Sequence, residues 1–250
     1  MNEPQIEKHR NKGIYLLPNL LTTTALFAGF YAIVSAIEGN FEQASIALFV
    51  AMVFDGLDGR VARLMRAQTA FGAEYDSLSD MIAFGLAPAL VAFLWGVQDM
   101  GKIGWAASFV YVSGAALRLA KFNTQIDDPN IDKRYFYGLA SPTAAALIAG
   151  SVWVFSSYDL ASEWTSLVLT ATLIAVGLLM VSNVRYFSFK TLGIKRKVPF
   201  IAMPAMIMIF AMVLLEPAIV LLSMAATYTV SGLVIEFWHL KGRKRTKNSQ

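Results

Sequence analysis

Four aspartates, Asp55, Asp58, Asp76 and Asp80, lie in one stretch, DGLDGRVARLMRAQTAFGAEYDSLSD, between two apolar segments. Carboxylates this close to a membrane segment are costly and call for a partner. Asp55 and Asp58 are spaced i,i+3, and Asp76 and Asp80 i,i+4, so each pair shares one face of a helix. Four hard oxygen donors brought together repel one another unless cations sit between them. Mg²⁺ or Mn²⁺ suits such a set, and two ions could share it. The bland reading is solvated acids at helix ends. Asp55 argues against it, because it directly follows the apolar run 46–54.

The elements that must position these acids follow from the spacing. Residues 64–71 are polar and basic enough to hold a turn. With the turn near Ala67, Asp58 and Asp76 each lie nine residues away, about 13 Å along either helix. Asp55 and Asp80 are equidistant from a point half a residue further on. An antiparallel helix hairpin therefore puts all four carboxylates at one depth. Beside them, Gly59 and Ala62 lack bulk, so a diphosphate or nucleotide can approach the helix backbone. Arg63 offers a forked cation for phosphate, and Gly72 lets the two helices pack closely.

Composition sets the surroundings. The chain has 250 residues, 56% of them hydrophobic, and a mean hydropathy of +0.54. That indicates an all-α polytopic membrane bundle. A single transmembrane catalytic domain is expected over 1–240, with a basic, disordered cytoplasmic tail over 241–250. There is no cysteine, which excludes disulfides and thiolate metal sites. Only His9 and His239 are present, both in basic terminal regions, so histidine catalysis is not expected. The polar start, 1–12, does not fit a cleaved signal peptide.

Eight spans are expected, over 15–37, 43–57, 70–97, 103–122, 137–155, 164–182, 198–215 and 218–240. The second is short and continues as a helix through Arg66. Pro88 is expected to kink the third. Eight spans place both termini on one side. Of the 21 Lys and Arg, only Lys102 falls in a loop on the other side, whereas Glu38, Glu42, Asp99, Asp159, Glu163 and Glu216 gather there. The positive-inside bias then puts the termini and the aspartates in the cytoplasm. The basic loops and tail suit orientation and anionic lipid rather than nucleic acid. A second polar cluster, Arg118, Lys121 and Asn123, closes the fourth span. Arg118 and Lys121, at i,i+3, can face one anion. Lys133 and Arg134 suit headgroup contact. Asn19 and Thr22, after Pro18, are polar groups at the cytoplasmic end of the first span, where helix capping explains them nearly as well as ligand binding.

The residues Asp55, Asp58-Gly59, Ala62-Arg63, Gly72, Asp76 and Asp80 resemble the signature of the CDP-alcohol phosphotransferase family, D-x-x-D-G-x-x-A-R, eight residues, then G-x-x-x-D-x-x-x-D. All eight fixed positions match with the family's gaps. The resemblance implies a six-helix catalytic core, here followed by two C-terminal spans, and a homodimer. It implies CDP-diacylglycerol as the donor, an alcohol as the acceptor and CMP as the product. It makes Asp55, Asp58 and Asp76 chiefly metal ligands, and Asp80 the general base and a further ligand. It places Asn19, Thr22, Asp58, Gly59, Ala62, Arg63 and Gly72 at the CDP moiety.

Two further stretches, Arg118-Leu-Ala-Lys121-Phe122-Asn123 and Phe136-x-Gly138-Leu139-x-Ser141-Pro142, resemble the bacterial branch that uses L-serine. Lys stands at 121 where that branch suggests Arg, and Ala at 140 where it suggests Pro. Arg118, Lys121 and Asn123 are the candidate serine-binding residues. That branch implies the bacterial inner membrane. Within the family, glycerol 3-phosphate or an inositol phosphate are the alternative acceptors, and both call for a denser basic pocket. Outside the family, the alternative is a divalent-cation transporter. The position of the acids at one membrane face, without inverted-repeat symmetry, argues against it.

Overall fold

A computed structural model describes residues 16–125, 135–187 and 202–247. The polar residues 1–12 with His9, the basic positions Lys133 and Arg134, and the first residues of the expected seventh span lie outside them.

Eight helices run in chain order among the described residues: α1 (Leu16–Ile37), α2 (Phe41–Leu64), α3 (Ala70–Trp95), α4 (Lys102–Gln125), α5 (Ser141–Ser157), α6 (Glu163–Val181), α7 (Ala202–Leu215) and α8 (Pro217–Lys247). Five of them, α1, α3, α4, α6 and the 217–238 part of α8, are long and apolar enough to cross a membrane. Their outer faces carry large bare side chains such as Phe27, Phe30, Trp105, Phe109 and Trp164. In water such a surface would aggregate; in hydrocarbon it is solvated. The protein is an integral membrane protein. Helix α2 falls short of a plain apolar span because it carries Asp55, Asp58, Arg60 and Arg63. Its polarity marks the site rather than a soluble helix.

Small residues draw the helices together. Ala25, Ala28, Ala32 and Ala36 of α1 and Ala44, Ala47 and Ala51 of α2 are buried, and these two helices pack along most of their length. Without a hydrophobic drive between spans, close backbone approach supplies the dispersion energy that holds them. Gly29 of α1 shows how close: a Cβ there would sit 2.8 Å from the Cα of Ala83 in α3. Further contacts pair α4 with α6, α2 with α5, and α5 with α8.

Helix α3 widens to a π-helical turn over Met81–Leu86, immediately after Asp80. The expected irregularity at Pro88 therefore begins a turn earlier. Pro88 has no N–H for the carbonyl four residues back, that of Phe84. The hydroxyl of Tyr111, wholly buried on α4, donates to that carbonyl at 2.9 Å and so binds α4 to the irregular turn.

Two sequence expectations change. The fifth span does not begin at 137. Tyr135–Tyr137 is a short strand, β1, paired antiparallel with β2 (Arg185–Phe187), with Phe136 opposite Tyr186. Aromatic residues read as a span start are instead a ribbon, and the helix opens at Ser141 with Pro142 in its first turn. Gly138 makes the corner at φ +82°, a conformation that disfavours a side chain. The tail also differs. α8 continues to Lys247, so the basic residues from Lys241 to Lys247 extend a helix rather than fray from it.

Candidate active site

The turn between α2 and α3 falls at Met65–Thr69, around the buried Ala67. Thr69 caps α3, its hydroxyl accepting from the backbone N–H of Gly72 at 3.0 Å. This satisfies one of the orphan donors of the helix start and fixes the angle of the hairpin. Along the paired helices, Asp55 comes beside Asp80, and Asp58 beside Asp76.

One carboxylate oxygen from each of Asp55, Asp76 and Asp80 lies within 4.8 Å of the others. All three side chains are half-buried. Oδ1 of Asp76 is buried with no hydrogen-bond partner. A buried carboxylate oxygen without a donor is expensive, and a cation removes the cost. The donor set is all oxygen, matching a hard divalent ion. These residues fit a metal ion.

Asp58, beside Asp76, has a further partner on α1. It is 4% exposed, and its Oδ2 accepts the hydroxyl of Thr22 at 2.6 Å. Thr22, on α1, also has its carbonyl taken by Ser79 of α3 at 3.2 Å. One residue on, the hydroxyls of Thr23 and Tyr75 share a hydrogen bond at 2.9 Å. Helix α1 is thus tied by polar contacts to both arms of the hairpin.

The positions expected around a nucleotide leave space. Nothing but the Nη1 of Arg63, 3.8 Å away, approaches the place where a Cβ on Gly59 would be. Arg63 is exposed and Ala62 half-buried. A Cβ on Gly72 would lie 3.1 Å from Oγ1 of Thr69 and 3.5 Å from Oδ1 of Asn19. Gly72 therefore brings Asn19 of α1 against the start of α3.

The α4 cluster reaches α3, α5 and the segment before β2. Nη1 of Arg118 donates to Oγ of Ser141 at 2.8 Å, while its Nε is buried and unpartnered. Of the four aspartates, it is Asp80 that lies within electrostatic reach of this guanidinium. Nζ of Lys121 donates to Oδ1 of Asn183 at 3.1 Å. Nδ2 of Asn123 donates to Oγ of Ser77 at 2.9 Å, reaching between Asp76 and Asp80 on α3. Arg118 and Lys121 share a helix face but do not share a protein partner. Sequence reasoning had not singled out Ser77, Tyr75 or Asn183. Ser77 could have been found from its place on α3 between two of the acids; Asn183 carried no local signal.

Comparison with known proteins bears on what this arrangement is. Residues 15–174 match the family model described as CDP-alcohol phosphatidyltransferase. The chain is similar to a CDP-diacylglycerol--serine O-phosphatidyltransferase of Helicobacter pylori, with 40% identity over 177 residues, 71% of this chain and 74% of that protein. It is similar to the protein of the same name in Mycobacterium leprae, with 29% identity over 223 residues, 88% of this chain and 74% of the other. An archaetidylserine synthase of Methanothermobacter thermautotrophicus is 34% identical over 172 residues, 68% of this chain and 69% of its own. The matched segment takes in the whole aspartate hairpin and the α4 cations. The chain belongs to the CDP-alcohol phosphatidyltransferase family.

Proposed function

We propose that this protein transfers the phosphatidyl group of CDP-diacylglycerol to L-serine, forming phosphatidylserine and releasing CMP. The observation that carries the reading is the convergence of Asp55, Asp76 and Asp80, with the Oδ1 of Asp76 buried and unpartnered and Asp80 in electrostatic reach of Arg118. The names of the relatives support serine as the acceptor.

The carboxylates, with Asp58 at the edge, would hold Mg²⁺ or Mn²⁺, two ions in all. A metal held there would neutralise the donor's diphosphate and stabilise the leaving phosphate. The residues do the rest. Thr22 fixes Asp58, and Asn19, Gly59, Ala62, Arg63 and Gly72 form the surface that takes CDP. Arg118 binds the serine carboxylate, with Lys121 and Asn123 nearby. Asp80 accepts the proton of the serine hydroxyl as its oxygen bonds to the lipid-side phosphorus. The bond from that phosphorus to the CMP oxygen breaks, and CMP leaves. The reach from Asp80 to Arg118 supports this assignment of the base, because the acceptor must span both.

Residues 1–240 form one catalytic membrane domain in this reading. It sits in a bacterial inner membrane as a homodimer, with the site and both termini in the cytoplasm. The charge bias across the loops supports that orientation. The test is CMP release by purified protein in detergent with CDP-diacylglycerol and Mg²⁺ or Mn²⁺. Serine, glycerol 3-phosphate and an inositol phosphate are offered in parallel. Serine-dependent release is expected. Release with another acceptor alone would retain the metal site and overturn the serine assignment. Divalent-ion uptake into vesicles, with no CMP from any acceptor, would mark a carrier.

A further inference from the structure

We propose that Asn183 is a positioning residue that aims Lys121 at the acceptor's anionic group without cancelling its charge, and that the β1–β2 ribbon exists to deliver it. The inference rests on the α4 cluster being the acceptor site, as proposed above.

Two cations on one helix face, half-buried beside a membrane, would ordinarily be matched by carboxylates. Here each is hydrogen-bonded to a neutral oxygen, although Arg118 also lies within electrostatic reach of Asp80. Arg118 has the hydroxyl of Ser141 and Lys121 the side-chain carbonyl of Asn183. A neutral acceptor fixes the direction of a long flexible cation, yet leaves its charge for a ligand. A carboxylate at the same place would fix it and neutralise it.

Both neutral oxygens come from segments that flank the ribbon. Ser141 follows β1 through the Gly138 corner, and Asn183 precedes β2. The corner N–H of Gly138 donates to the carbonyl of Val184 at 2.9 Å, and that of Leu139 to Leu179 at 3.1 Å. The hydroxyl of Ser182 donates to the Leu179 carbonyl at 2.8 Å and accepts from the Val184 N–H at 3.3 Å. Asn183 thus sits between two neighbours that are both anchored. Its side chain reaches the same helix face that carries Arg118, the face proposed above for the acceptor. The ligand class is an alcohol bearing a carboxylate or a phosphate.

The experiment compares Asn183→Asp and Asn183→Ala with wild type in steady-state CMP release, varying acceptor and CDP-diacylglycerol in turn. Asn183→Asp should raise the acceptor KM about tenfold, the scale of one charge-assisted contact. Its kcat and donor KM should hold, and its thermal unfolding in detergent should match wild type. Asn183→Ala, which frees Lys121 without neutralising it, should raise the acceptor KM by less. A purely structural role predicts the reverse order, since aspartate grips lysine at least as well as asparagine does. Near-wild-type Asn183→Asp with impaired Asn183→Ala would overturn the proposal. If Asn183→Asp does not fold, Lys121→Gln carries the test: it should show the same rise in acceptor KM, and an unchanged KM would overturn the idea. The acceptor that wild type prefers tests the serine reading separately. If that acceptor is glycerol 3-phosphate, the ratio of variant to wild-type KM for it still tests Asn183.

Discussion

The hydroxyl of Thr22 donates to Oδ2 of Asp58 across 2.6 Å, joining α1 to α2 at the level of the carboxylate cluster. Both residues are buried, so the bond is shielded from water and made to a charged acceptor. Thr22→Val removes the donor and keeps the shape. Hydrogen bonds to charged groups contribute about 1.5–3 kcal/mol. The variant should raise the KM for CDP-diacylglycerol about tenfold, the low end of that range, and leave the acceptor KM unchanged. Steady-state kinetics with each substrate varied separately checks this.

The carboxylates should be a liability without metal. Like charges held close oppose folding, and an unpartnered buried oxygen adds to the cost. Asp76→Asn should therefore unfold at a higher temperature than wild type when both are stripped with a chelator. Adding Mn²⁺ should raise the unfolding temperature of wild type more than that of the variant. Activity of the variant should fall by about two orders of magnitude or more, as expected when a ligand of a catalytic metal is lost. Thermal scans with and without Mn²⁺ read the first two effects, and CMP release reads the third.

Arg118 should distinguish charge from geometry. Its Nη1 is committed to Ser141 and its Nε is free. Lysine keeps the charge but cannot serve both directions. Arg118→Lys should raise the serine KM about tenfold, and Arg118→Ala should raise it further. Neither should change the KM for CDP-diacylglycerol. Wild-type serine affinity in Arg118→Ala would remove this residue from the acceptor site.

The Tyr111 hydroxyl serves the carbonyl that Pro88 leaves bare. Tyr111→Phe leaves Phe84 with an unsatisfied buried carbonyl in the π turn after Asp80. A loss of about 1–3 kcal/mol of stability is expected. The same change should lower kcat, because the turn sets the pitch at which Asp80 projects. Thermal unfolding and turnover of this one variant test both.

The aspartate hairpin was legible from spacing alone. The i,i+3 and i,i+4 pairs, and their symmetry about Ala67, are local properties of two helices and a turn. The pairing of Asp55 with Asp80 and Asp58 with Asp76 in the structure follows from them. The bond from Thr22 to Asp58 was not legible, because it depends on how α1 packs across α2. The ribbon was hidden for a different reason. Its strands are three residues each, and Tyr135–Tyr137 pairs with a segment on the far side of two helices. An aromatic run beside an apolar helix has the composition of a span start, and only the distant partner makes it a strand. Asn183 was missed with it. The widened turn of α3 was half legible: Pro88 announced an irregularity, but the sequence does not say on which side of the proline the helix gives way.

The role of the carboxylate site depends on the product formed there. The most direct measurement is incorporation of radiolabelled L-serine into extractable lipid by purified wild type and Asp80→Asn, with CDP-diacylglycerol and Mn²⁺. Serine transfer at this site predicts labelled phosphatidylserine and an equal amount of CMP from wild type, and neither from Asp80→Asn. Labelled lipid formed at the wild-type rate by Asp80→Asn, or none formed by folded wild type, would contradict it.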